Sequence, residues 1–458
     1  MKLASGLPSV PLPSVALPSL LRRFLLLSAA LTLLCGVAEL FAASLLHLDG
    51  RYVFPLLQER FPDFVVFTRK FDHLHTFDFF TTDSSHPFMY PAPVALPYAL
   101  FFRASPRHAL ACFIATVVIG AVIAAVLLAR TLHAHGLSRE GAAAFAGSTL
   151  LLSYPLWFVL NQANMEAIVW LILSVGLWCF FHDRPYTAAI CFAVAGSMKF
   201  FPFLYLGLPL ARRQYRPIAV ALAVAAALTV LSLWIIYPDM AVTWHHLEAA
   251  IGYFREHYML QSRQERGFDH SLFGLLKQLV PTLPPPSRVA FFLSIYLWAV
   301  TTLGTALYLV RIRKLPVTNQ LLCLTVASVL LPPTSFDYTL LHLYAPWLLL
   351  VLYALDQPVH PDKPGHTRPQ TSTPRPLVAV MVCFAILFSP LTEFIVGGET
   401  VAGPIRAVTL VALFTLALVV RFPHPAFETP DTPDTTDMLH PQTHALGTLS
   451  SHTATTIP

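Results

Sequence analysis

Residues 109–129 are 21 consecutive positions without a charge. At 1.5 Å per residue that is enough α-helix to cross the roughly 30 Å hydrocarbon layer of a bilayer. Comparable apolar runs occupy 24–46, 142–160, 167–181, 217–237, 289–310, 316–331, 339–355, 376–396 and 401–420. The chain is 56% hydrophobic and 12% charged, about half the charged share of a soluble domain. The expected fold is therefore an all-α polytopic membrane protein with about ten full transmembrane helices. The net charge of +5 is modest and gathers between the runs, which excludes a nucleic-acid footprint. The six cysteines all lie in apolar sequence without CxxC spacing, and "HLH" and "HH" lack metal-ligand spacing. No disulfide framework, metal or other cofactor is expected.

Orientation follows from where lysine and arginine collect. Arg22 and Arg23, "RTLHAHGLSRE", "HDRP", "ARRQYR", "RIRK" and "DKPGHTRPQ" are the basic connections. Placing them in the cytoplasm puts two long loops, about 47–108 and 238–287, outside. The turns "NQANME", "PPTSFDYT" and "GGETVAG" fall on the same side. Two segments then do not fit as spans. "FMYPAPVALPYALFF", with prolines in and beside it, reads as re-entrant or interfacial. Residues 185–210 must leave and return on one face, as a broken pair of half-helices with "KFFP" at the apex. That places Lys199, the conspicuous intramembrane cation, at the break; a lysine at mid-membrane costs about 2.5–3.5 kcal/mol. Residues 1–20 and 422–458, rich in proline or threonine, read as disordered cytoplasmic tails flanking a membrane domain at 21–421.

Acid and base concentrate on the outer face. The first long loop holds Asp63, Asp72 and Asp78 among arginines and histidines, and the second holds Arg263, Arg266, Asp269 and His270. Long loops on a compact bundle are where function collects. Carboxylates and cations beside lipid-embedded helices suit a lipid-linked phosphosugar. Its tail needs an apolar groove, its phosphate a cation, and transfer to a hydroxyl a general base.

Four stretches carry a more specific pattern. "DFVVFTRKFDHLHTFDFF…FMYPAP", "NQANMEAIVW…AGSMKFFP", "HSLFGLLKQL" and "LLPPTSFDYTLLHLYAPWLLL" resemble, in order, motifs of glycosyltransferase family 87: the first-loop Asp-Phe and Tyr-Pro-x-Pro, the GQxN turn with K-x-x-P, NQSLxGLLxRL and SPxSWDHH. The chain departs from them at Asn161 for glycine, His270 for the usual asparagine-glutamine, Phe336 for tryptophan and Tyr338 for histidine.

The resemblance implies a GT-C-like helical bundle in the inner (plasma) membrane, with extracytoplasmic loops and the active site on that face. It implies an inverting hexosyltransferase that takes a hexose, often mannose, from a polyprenyl-phosphate donor and passes it to an envelope glycolipid or glycan. The family's loop aspartate falls on Asp63, read as general base, with Asp72 and Asp78 as rivals. Its K-x-x-P lysine falls on Lys199, read with Arg263 and Arg266 as the donor-phosphate contacts. Tyr90, Pro91, Gln162, Asn164, His270, Asp337 and Tyr338 are assigned to the substrate and lipid groove. Two other functions stay open at this stage: a transporter or flippase of a lipid-linked carrier, and a non-catalytic envelope-assembly protein. No internal repeat favours the transporter.

Overall fold

The computed structural model describes residues 18–45, 61–82, 87–103, 106–260, 267–279, 285–356, 375–391, 395–396 and 399–423. Among them the chain is helical or looped, except for a short antiparallel pair, Ile395–Val396 with Glu399–Thr400. Helices stand in all ten apolar runs. Among the described residues six are both long and apolar enough to cross a bilayer, and a seventh span results if the helices on either side of a 42° bend at 152–153 count as one. The expected all-α membrane class is met, while by length and composition among the described residues the count of about ten is not reached. The reason is burial inside the bundle. Glu166–Phe181, Val317–Leu330 and Arg375–Leu387 have 16, 14 and 13 residues, roughly 20–24 Å of helix. Nearly every side chain of Val317–Leu330 is buried. A helix surrounded by helices need not match the thickness of the lipid.

The two segments excluded as spans are short, interrupted helices. Ala92–Val94 and Ala95–Phe102 form one compact helical stretch. Pro185–Met198 ends at Lys199, which is extended (φ −145°, ψ 114°), and the chain continues as a 3-10 turn over Phe201–Leu206 and a helix over Gly207–Ala211. Pro202 lacks the N–H that would carry the first helix onward. The turn folds back onto Gly196, where a Cβ would lie 2.7 Å from the Phe203 ring.

The first loop is held by aromatic packing. Its helices Pro62–Val65, Thr68–Phe71 and Asp78–Thr81 have four residues each, too few to persist alone. Phe64 packs against Tyr98, Phe102 and Phe113, and Phe71 stacks on Phe102 with the Phe79 edge against it. Each such pair contributes about 0.5–1.5 kcal/mol beyond area burial. Inside the loop Lys70 is buried, its Nζ donating to the Thr82 carbonyl.

Helix Pro286–Val310 packs through Val289, Leu293 and Tyr296 near its N-terminal end, while Trp298 and Leu303 stay exposed. Its middle stands off the bundle and walls a cavity. The proposed tails fall mostly outside the described residues, but their inner edges are ordered structure. Ser19 and Leu20 open the first helix, and buried Phe422 donates its N–H to Asn319 Oδ1 at 2.7 Å.

Candidate active site

Asp63 is set by a tightly specified turn. Phe61, two residues before it, adopts a left-handed backbone (φ 67°) and donates its N–H to the Asn161 carbonyl at 2.9 Å. Ala163, one residue before Asn164, is also left-handed (φ 49°). Each such non-glycine residue costs about 1–2 kcal/mol, and strain of this kind collects where surrounding structure fixes a functional geometry. Its outcome is a hydrogen bond from Asn164 Nδ2 to Asp63 Oδ2 at 2.6 Å. Asn164 Oδ1 accepts the Glu166 N–H at 2.9 Å, so one amide both caps helix Glu166–Phe181 and holds the carboxylate. The Tyr98 hydroxyl donates to the Asp63 carbonyl at 3.0 Å. Burial pushes the Asp63 carboxyl above the ordinary aspartate value, and the Asn164 bond and the Lys199 charge pull it partly back.

Lys199 has a counter-ion. Its Nζ lies 2.9 Å from Glu166 Oε2, and Glu166 Oε1 lies 2.5 Å from His342 Nε2. The ammonium also sits 5.2 Å from the centre of the Tyr90 ring and 4.8 Å from that of Tyr338, within the range of cation–π attraction. The Tyr90 hydroxyl accepts from Asn164 Nδ2 at 3.3 Å. Asp63 and Lys199 are thus joined through Asn164 and Tyr90, although 136 positions of sequence separate them.

A second buried charge pair lies nearby. Arg406 Nη1 approaches Asp337 Oδ1 at 2.5 Å, Nη2 donates to the Ser389 carbonyl at 3.1 Å, and the guanidinium lies 4.9 Å from the Tyr154 ring centre. The Tyr154 hydroxyl donates to Asp337 Oδ2 at 2.6 Å. His270 Nδ1 is 3.4 Å from Asp337 Oδ1, with Nε2 at 3.1 Å from Thr339 Oγ1 and from Ser335 Oγ. Helix Ala402–Val419 reaches this cluster because Gly403 lets its start touch the second loop. The Gly403 N–H meets the Gly267 carbonyl at 2.6 Å, where any Cβ would collide with backbone.

Part of this network borders one cavity of about 1440 Å³. Asp63, Tyr90, Pro91, Gln162, Asn164, Lys199, Asp337 and Tyr338 line its polar end. Leu297, Val300, Gly304, Thr305, Tyr308 and Leu309 continue it as an apolar groove along one face of helix Pro286–Val310. From Leu297 to Leu309 the groove runs about 18 Å at 1.5 Å per residue, and Leu210, Ile218 and Phe414 also line the cavity. Of the expected site residues, His270 is the exception among those described: it is buried behind the wall and bonded to the Asp337 cluster. Arg263 and Arg266 lie outside the described residues. The rival carboxylates Asp72 and Asp78 are exposed to solvent and do not line the cavity. Sequence reasoning missed Glu166, His342 and Arg406. The signal for them is charge balance: an apolar run carrying a charge needs an opposite one in another run, and Arg406 and Glu166 sit in or at the start of such runs. Among the described residues no three histidine, cysteine or acidic side chains converge as a metal site.

The arrangement offers a carboxylate of raised proton affinity, an ammonium a short way along the same wall, and a long apolar groove leading away. Such a set can take a proton from a hydroxyl while neutralising an anion attached to a lipid. No curated protein and no solved structure matches the chain. The model of glycosyltransferase family 87 matches residues 88–333, a stretch that holds Tyr90, Asn164, Glu166 and Lys199 and covers more than half of the sequence. This chain belongs to glycosyltransferase family 87.

Proposed function

We propose that the protein transfers a hexose, mannose in the first instance, from a polyprenyl-phosphate carrier to a hydroxyl of an envelope glycolipid or glycan. Asp63 takes the proton of the acceptor hydroxyl as that oxygen attacks the anomeric carbon from the face opposite the phosphate. The bond from that carbon to the phosphate oxygen breaks, its electron pair staying on the phosphate. The products are a glycoside of inverted configuration, protonated Asp63, and polyprenyl phosphate carrying one more negative charge than it had in the donor. Lys199 faces that developing charge, where a fixed cation has most effect on rate. Arg263 and Arg266 complete this proposal as further phosphate contacts.

One observation carries the reading: Asp63 and Lys199, from distant parts of the chain, line the same end of a cavity whose remainder is an apolar groove. Sidedness is supported by the helix ends. Helix Pro185–Met198 follows Arg184 and ends at Lys199, and helix Tyr215–Ile236 follows Arg212 and Arg213 and ends beside His75, whose N–H reaches the Ile236 carbonyl. Arg184, Arg212 and Arg213 thus lie at the opposite helix ends from the site, which under the positive-inside tendency supports an extracytoplasmic site in the plasma membrane.

The test is Asp63→Asn, which keeps shape and removes the base. With a labelled polyprenyl-phosphate mannose and purified protein in nanodiscs, transfer should fall by about 10²–10⁴-fold, while donor binding persists. Transfer at the wild-type rate would remove Asp63 from the mechanism, and translocation without transfer would replace the enzyme with a carrier.

A further inference from the structure

Glu166 is fully buried. His342 pins its Oε1 and Lys199 meets its Oε2, so the carboxylate cannot swing into the cavity. Lys199 is 12% exposed and lines the cavity between the two tyrosine rings. An ammonium has three donors. Among the described residues Glu166 is its ion-pair partner at 2.9 Å, and the rings act on the cation as faces. The ammonium therefore keeps the capacity to donate to a ligand, while its charge is offset from behind.

We propose that Glu166 is a counterweight to Lys199, preventing the ammonium from holding the finished polyprenyl phosphate so tightly that it stays. This inference rests on the function proposed above for the identity of the anion. The donor is a phosphodiester with one negative charge, and the product a monoester approaching two at neutral pH. A lone buried ammonium would bind both strongly, and the product more so. Catalysis gains only from interactions that are stronger in the transition state than in the bound ground state, and turnover also requires release. A fixed carboxylate behind the ammonium weakens its hold on either anion without moving it. Glu166 acts through Lys199 and touches no reacting atom.

The test compares wild type with Glu166→Gln, which keeps side-chain shape and removes the charge. Binding of farnesyl phosphate and of the uncharged alcohol farnesol is measured on the full-length protein in nanodiscs. Loss of a like charge a few ångströms from the anion should tighten farnesyl phosphate about tenfold, with farnesol unchanged. In transfer assays kcat and the donor KM should fall together, with inhibition by added polyprenyl phosphate strengthened. A residue that merely supports the fold would not tighten binding. Should Glu166→Gln not accumulate as folded protein, Glu166→Asp withdraws the charge by one methylene and should give a smaller tightening of the same sign. Unchanged or weaker farnesyl phosphate binding in the folded variant overturns the counterweight. If wild type prefers the phosphate and the variant does not bind it more tightly, only this inference falls. If wild type neither prefers the phosphate nor transfers sugar, the proposed function falls with it.

Discussion

Two of the buried ion pairs in this bundle look alike in sequence terms and differ in what surrounds the cation. Arg406 is fully buried, with Asp337 and the Ser389 carbonyl on its fork and the Tyr154 ring against its face. Lys199 has Glu166 behind it, an aromatic ring on two sides, and the cavity in front. Both charges lie in apolar sequence, where an ionisable residue is a candidate for function. Geometry separates them. A guanidinium enclosed by protein ties together helix Ala402–Val419, the loop at Ser335–Asp337 and the end of Arg375–Leu387. An ammonium with one open side can act on a ligand.

Breaking the closed pair should have the largest effect, and it should be an effect on stability. Arg406→Met strands the buried Asp337 carboxylate and should cost about 3–5 kcal/mol, read as a large drop in melting temperature in detergent and poor recovery of monodisperse protein. Lys199→Met is the converse. Removing the charge that faces the developing phosphate should cost about 10²–10³-fold in kcat, with a smaller fall in melting temperature because His342 still partners Glu166. If Arg406→Met melts like wild type and loses only transfer, the two pairs have been assigned the wrong way round.

The same contrast shows what could be read from the sequence. Apolar runs placed helices correctly because hydrophobic length is a local property, and the break at Lys199 was marked locally by Pro202. Asp63, Tyr90, Pro91, Gln162, Asn164, Lys199, Asp337 and Tyr338 were selected by pattern and do share one cavity. Their partners were not legible. Tyr154 meets Asp337 across 183 residues, and Glu166 meets His342 across 176, pairings that depend on how helices pack and not on what flanks each residue. Arg406 was passed over as one charge in a run otherwise able to span. The number of full spans is not settled by composition for a related reason: composition cannot distinguish a helix in lipid from a short one enclosed by other helices. His270 was placed in the groove on motif position alone, whereas the Asp337 cluster draws it behind the wall.

A finer test concerns the bond between Asn164 and Asp63. Burial raises the Asp63 carboxyl above the usual aspartate value, and the Asn164 hydrogen bond lowers it. A general base works deprotonated, so transfer should decline as pH falls through the raised value, giving an acid limb above that of an ordinary aspartate. Asn164→Leu removes a stabilising donor from the charged form. Its acid limb should move to higher pH, and its plateau rate should drop about tenfold, the scale of one hydrogen bond to a charged group. An acid limb at unchanged pH would mean that Asp63 is not the titrating group. Lys199→Met should move the limb the same way, because it removes the other lowering influence. Arg406 is not among the influences on Asp63, so a mild variant there that still folds should leave the limb in place.

The smallest effect lies midway along the apolar groove, away from both ion pairs. Gly304 is on the groove face of helix Pro286–Val310, and a Cβ built there meets no atom within 4 Å. The space is therefore open, and its use depends on what fills it. A tail that follows the groove from the polar end would pass Gly304 about 10 Å beyond Leu297, taking 1.5 Å per residue. Gly304→Trp should raise KM for long-chain donors about fivefold, the scale of modest overpacking, and leave kcat unchanged because no charged group moves. A donor with a tail too short to reach position 304 should show no change. Equal KM effects on long and short donors would mean that the substitution acts through the bundle and not through the tail. No effect on either would place the tail elsewhere, and the polar end would then have to bind its substrate without help from this groove.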